Sequence, residues 1–145
     1  MVHGADSASQ PARVLWPQHV ADLERSGIPL ELARACGIHS ADESEVLRLT
    51  GRKRSVGSGL AFPFFDPETG HVLQVGAQNG STSETVDFVR VRLDDPTLAR
   101  DKDGKPDKYL TRRGAGQFPY IIPRVAERLE QNPEHIILTE GEKKA

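Results

Sequence analysis

The sequence predicts an α+β fold, with small N-terminal helices, a mostly antiparallel sheet and a further helix, and three observations carry that prediction. Apolar residues recur at steps of three and four over residues 16–51, and the period falls to two from residue 59 onward. A turn cluster at Asp66-Pro67-Glu68-Thr69-Gly70 joins two extended runs directly, as antiparallel neighbours require. A chain of 145 residues with 37% hydrophobic residues has room for one modest core and not for two full domains.

Residues 1–15 are small, polar and aperiodic, and read as a disordered arm. The helical part spans residues 16–51. Trp16, Val20 and Leu23 mark the first helix, Pro17 suits its first turn, and Ser26-Gly27 ends it. Pro29 opens a second, with Leu30, Ala33 and Arg34 inside it and Gly37 at its left-handed cap. Ser40 is the expected cap of a third, with Glu43 completing a capping box, Val46, Leu47 and Leu49 facing inward, and Gly51 as the stop.

The sheet is expected over residues 59–121. Residues 60–65 and 72–75 form a hairpin in which Pro63, lacking an N–H, places the first strand at an edge. Residues 76–85 read as a loop turning at Asn79-Gly80. In the strand that follows, Val89, Val91 and Leu93 alternate with Phe88, Arg90 and Arg92, so one face is aliphatic and the other carries a ring and two guanidinium groups. Lys108-Tyr109-Leu110 comes next, and a helix is expected over residues 122–132, with Val125, Ala126 and Leu129 on one side. His135-Ile136-Ile137-Leu138-Thr139 has the continuous apolar character of a strand buried on both faces of a parallel sheet.

The formal net charge of −2 hides a segregation. Residues 1–47 carry three Arg and seven acids, residues 48–113 twelve Lys and Arg against nine acids, and residues 114–145 four against five. Arg52, Lys53 and Arg54 lie in a stretch without any acid, and Arg112 and Arg113 close a second basic run. Such runs are commonly solvated loops, and they also suit phosphate contacts. On the central strand, alternate residues stand about 6.6 Å apart, a spacing on which Phe88, Arg90 and Arg92 could stack a base and hold a single-stranded backbone. Lys108 and Tyr109 add a second cation and ring.

Other chemistries fail on spacing. Gly57-x-Gly59 continues with Phe62 where a dinucleotide loop needs glycine, and no GK[ST] is present. Asp101-Lys102-Asp103-Gly104 lacks the first and last ligands of a calcium loop. No G-x-S-x-G marks a hydrolase, Cys36 is the single cysteine, and the five histidines are scattered. Apolar runs are too short to span a bilayer, so a cytoplasmic protein without a membrane partner is expected.

The succession Phe62-Pro63-Phe64-x-Asp66, Gly70, a strand ending in Arg92, Lys108-Tyr109-Leu110, Tyr120 before a helix, and Ile136-Ile137-Leu138-Thr139-Glu140-Gly141 resembles the catalytic core of bacterial-type DNA primases. Residues 139–145, Thr-Glu-Gly-Glu-Lys-Lys-Ala, are closer still to the primase-like proteins of phages, plasmids and other mobile elements, as is Gly27-Ile28-Pro29-Leu30-Glu31-Leu32-Ala33. The resemblance implies a primase-like N-terminal subdomain over residues 16–133, followed at 134–145 by the start of a truncated toprim domain whose first catalytic acid is Glu140. It also implies that Arg90, Arg92 and Lys108 contact nucleic acid or nucleotide phosphates. Single-stranded DNA and nucleoside triphosphates would be the partners, with a helicase domain or protein as a further one. Mg2+ would serve the intact protein only, because the family's Asp-x-Asp has no counterpart here and no metal ligand is assigned within this chain. The zinc ribbon of the family is absent from the sequence. A chain of this kind would be inactive alone. The alternatives are a non-catalytic nucleic-acid-binding or regulatory module of a mobile element, and a protein-interaction domain built on the helical start.

Overall fold

A computed structural model describes residues 13–77 and 84–138. The arm through residue 12, the Asn79-Gly80 turn and Glu140 lie outside the described residues. The fold is α+β, as the sequence predicts. Helices α1 (Pro17–Arg25) and α2 (Leu30–Ala35) lead into strand β1 (His39–Ala41), helix α3 (Glu43–Thr50) and strand β2 (Gly59–Pro63). Strands β3 (Gln74–Gly76), β4 (Thr85–Asp87), β5 (Val89–Leu93) and β6 (Tyr109–Leu110) follow, and α4 (Pro123–Glu130) is the last helix.

The principal sheet has the order β1-β2-β5-β6 and is antiparallel throughout, while β3 and β4 pair as a separate hairpin. Leu60 and Phe62 point to one side, where Leu23 of α1 and Ala33, Cys36 and Ile38 of the α2 region complete a core. Ala61 and Val91 point to the other, where Val46 and Leu49 of α3 pack with Leu93, Leu110 and the hairpin residues Val75 and Val86. The sheet is therefore covered by α1 and α2 on one face and by α3 on the other, and burying apolar surface on both accounts for the wholly buried β2.

Several local expectations change. Ser40 does not cap the third helix. It is part of β1, and Asp42 takes the cap by accepting the Glu45 N–H at 2.8 Å. The inward stripe of α1 is His19 and Leu23, four residues apart, with Val20 only half-buried. β2 is central instead of an edge, flanked by β1 and β5, and tolerates Pro63 because that residue is its last. The run from Val86 to Leu93 is not one strand. The Phe88 N–H goes to Leu73 O at 2.7 Å while the Phe88 carbonyl accepts from Phe64 N at 2.9 Å, so this residue hands the chain from the hairpin to the principal sheet. Residues 135–138 lie outside any strand, and Ile136, Ile137 and Leu138 are 63%, 87% and 91% exposed rather than buried.

Candidate nucleic-acid interface

The antiparallel register decides which of the sequence-predicted residues meet. Arg90 stands opposite Phe62, and Arg92 stands between Leu60 on β2 and Tyr109 on β6. Side chains opposite one another share a face, so Arg90, Arg92 and Tyr109 lie on the face that carries Leu60 and Phe62, with Arg92 reaching the margin of α1. Tyr109 is 40% exposed there. Arg92 forms an ion pair with Asp22 of α1, whose carboxylate is mostly buried. The Arg90 guanidinium carbon lies 5.7 Å from the centre of the Phe64 ring, a cation–π contact. Both arginines are thus half-buried and held in place, and neither is a long side chain free in solvent. Pre-positioning of this kind lowers the entropy lost when a phosphate binds.

Phe88 does not join them. It is 1% exposed, wedged edge-on between Phe64 and Phe118 at centroid distances of 4.9 Å each, and has no face to offer a base. Two successive buried residues, Phe88 and Val89, break the alternation on which the sequence reading relied.

Arg112 is also engaged within the fold. It is 9% exposed, and its Nη1 donates to Arg48 O at 3.0 Å and Leu49 O at 3.4 Å, covering carbonyls at the C-terminal end of α3. Arg52, Lys53 and Arg54 follow that same end of α3 in the chain, and Arg113 follows Arg112, whose guanidinium lies against Gly51; Lys53, Arg54 and Arg113 are exposed. Burial, with the nearby Arg113 guanidinium, pushes the Arg52 pKa down against the opposing pull of Asp107. Lys108 is exposed immediately before β6. The ten described candidates accordingly divide: Arg90, Arg92 and Tyr109 share one face of β5 and β6, Phe88 and Arg112 are inside the fold, Arg52, Lys53 and Arg54 are in the loop after α3, and Lys108 and Arg113 flank β6.

Sequence reasoning missed a polar chain that fixes α1 to the sheet. Ser40 Oγ lies 2.7 Å from His19 Nδ1 and accepts the Trp16 N–H at 2.7 Å, and His19 Nε2 lies 2.7 Å from Asp94 Oδ1. Asp94 Oδ2 accepts in turn from Ser58 Oγ at 2.6 Å. A carboxylate only accepts, so the His19 Nε2 carries the hydrogen toward Asp94. The order serine, histidine, aspartate matches a hydrolytic triad in composition, but Ser40 and His19 are 8% and 5% exposed and the Trp16 ring stacks on His19 at 5.4 Å. Its job is attachment of α1. The signal available in the sequence was the position of His19 four residues before Leu23, on the buried side of a short helix.

A cavity of about 630 Å3 lies between β1, α3 and the β3-β4 hairpin, away from Tyr109. Most of its charged lining is already paired, Arg13 with Asp87 at 3.7 Å and Glu45 with His39 at 2.9 Å and Arg48 at 3.8 Å, and Asp42 is taken up as the cap of α3. Among the described residues no three His, Cys, Asp or Glu side chains converge as a metal site, and no helix is long and apolar enough to cross a membrane. Compared with models of protein families, with curated proteins and with solved structures, the chain matches none.

Proposed function

We propose that this chain binds single-stranded DNA across the face of β5 and β6 that carries Tyr109, as the template-side N-terminal subdomain of a toprim-type DNA primase acting in the cytoplasm. One observation carries the binding reading: the exposed Tyr109 ring stands directly opposite Arg92, with Arg90 two residues along the same strand face. An exposed ring beside two fixed cations supplies what sequence-tolerant single-strand binding uses, stacking for a base and positive charge for its phosphates. On this reading Glu140 is the first catalytic acid of the toprim domain, and nucleotidyl transfer draws on Mg2+ held by residues outside this sequence. The exposed Ile136, Ile137 and Leu138 support it by offering apolar surface that a further sheet would cover.

The test is fluorescence anisotropy with a labelled oligothymidylate over a series of salt concentrations. Tyr109→Ala should weaken binding by about 1–3 kcal/mol. Arg90→Ala and Arg92→Ala should each lower the slope of log K against log salt by about 0.7. Unchanged affinity and slope in all three variants would overturn the interface. Primer synthesis on a single-stranded template by the complete gene product, lost in its Glu140→Gln form, tests the enzymatic part.

A further inference from the structure

We propose that Arg52 and Arg113 form a second anion site, built for the oxygens of a phosphoryl group, on the side of the sheet away from Arg92 and Tyr109. This goes beyond the single-strand interface and does not depend on it.

The loop that carries Arg52 has no acid from Arg48 to Gly59, so nothing within it neutralises the guanidinium. Helix α3 ends at Gly51 in the left-handed conformation, φ 69°, which turns the chain sharply and places Arg52 beside the helix end. The carbonyls at such an end repel anions. Here Arg112 covers two of them, those of Arg48 and Leu49, and so takes up the adverse partial charge without spending Arg52 or Arg113. Arg52 Nε is buried and has no hydrogen-bond partner among the described residues. A buried donor left without an acceptor is a cost, and it is removed when the half-buried Arg52 side chain turns its Nε–H outward to an oxyanion. Arg113 and Asp107 both lie near Arg52, the arginine opposing its charge and the aspartate favouring it. A bound anion relieves the repulsion between the two arginines as well.

Two guanidinium groups favour phosphoryl over carboxylate. A carboxylate has two oxygens and saturates one guanidinium fork, whereas a phosphoryl group has enough oxygens to bridge two. Lysine at position 52 would keep the charge and lose both the fork and the Nε–H.

The test titrates the chain with pyrophosphate at low ionic strength while nitrogen–proton NMR follows the arginine Nε–H resonances. An oligothymidylate without a terminal phosphate is titrated in parallel. The Arg52 Nε–H resonance should move and saturate, and Arg52→Lys and Arg113→Gln should each weaken binding about tenfold or more. Tyr109→Ala should leave pyrophosphate affinity unchanged, which separates this site from the interface on the other face. A response to pyrophosphate assigns the site to free or terminal phosphates, and a response to the oligonucleotide alone assigns it to backbone phosphodiesters. An Arg52 resonance indifferent to both probes, or full affinity in both variants with an unchanged thermal midpoint, would overturn the site.

Discussion

Arg112 separates a structural cation from a binding one. Its Nη1 reaches Arg48 O at 3.0 Å and Leu49 O at 3.4 Å, and an added Cβ on Gly51 would lie 3.3 Å from its guanidinium carbon. One well-formed hydrogen bond from a charged donor is worth about 1.5–3 kcal/mol. The longer second contact is weaker, and the charge at a helix C-terminus adds about 0.3–1 kcal/mol. Arg112→Ala should therefore cost about 3 kcal/mol in urea unfolding at an unchanged m-value, and Arg112→Lys, which keeps the charge near the carbonyls, roughly half as much. Gly51→Ala should cost about 1–2 kcal/mol for its left-handed backbone, and part of any excess over that should vanish in the Arg112→Ala background, where the crowding guanidinium is gone. Oligonucleotide affinity, measured where each variant is fully folded, should not change. A loss below about 1 kcal/mol, or a fully stable variant with weakened DNA binding, would refute the structural assignment and return Arg112 to the interface.

His19→Ala should destabilise by about 1–3 kcal/mol, since it takes the imidazole partner from the buried Ser40 hydroxyl and breaks the contact of α1 with Asp94. A double-mutant cycle with Asp94→Ala checks this: equal costs for the aspartate substitution with and without His19 would show that the pair contributes nothing. Burial raises the Cys36 thiol pKa above its ordinary 9.0 despite the opposing influence of Arg124. The native state then holds its proton where the unfolded chain has released it, so this contribution to stability is present below pH 9.0 and falls as pH rises through the folded pKa. Unfolding curves across alkaline pH should show a shallower decline in Cys36→Ala than in the parent chain, and identical declines would contradict it.

Where one short-range rule decided the outcome, the sequence was readable. The left-handed glycines at Gly37 and Gly51, φ 68° and 69°, and Pro17 in the first turn of α1 fixed helix ends to within a residue or two. What escaped was set by long-range pairing. Nothing local says that Ser40 sits in a strand: β1 exists because residues 39–41 find residues 59–61 as partners. Asp22 and His19 look like ordinary polar positions of a surface helix until the sheet brings Arg92 and Asp94 beneath them. The alternation through residues 88–93 correctly put Arg90 and Arg92 on one face, yet it misplaced Phe88, because period two holds only within a strand and Phe88 is where one strand ends and another begins.

The division of cations across β6 has a physical consequence for how ligands would act together. Tyr109 and Leu110 point to opposite faces, as successive strand residues must, and Leu110 is buried with Val91, Val46 and Leu49 in the core beneath α3. An apolar layer thus stands between the Arg90–Arg92–Tyr109 face and the end of α3 that Arg52 follows, with Arg113 near it. A packed layer of this kind is about 10 Å thick, and the screening length at physiological salt is about 8 Å. Partly exposed charges on the two sides therefore influence each other weakly through solvent, and a phosphate bound on one side does little to repel one bound on the other. The same basic surplus gathered on one face would have imposed self-repulsion on the folded state and competition between ligands. On the proposed reading a single strand and a separate phosphoryl group would take opposite sides of the sheet, while the ion pair from Asp22 to Arg92 and the bond from Arg112 to Arg48 O hold those two cations within the fold.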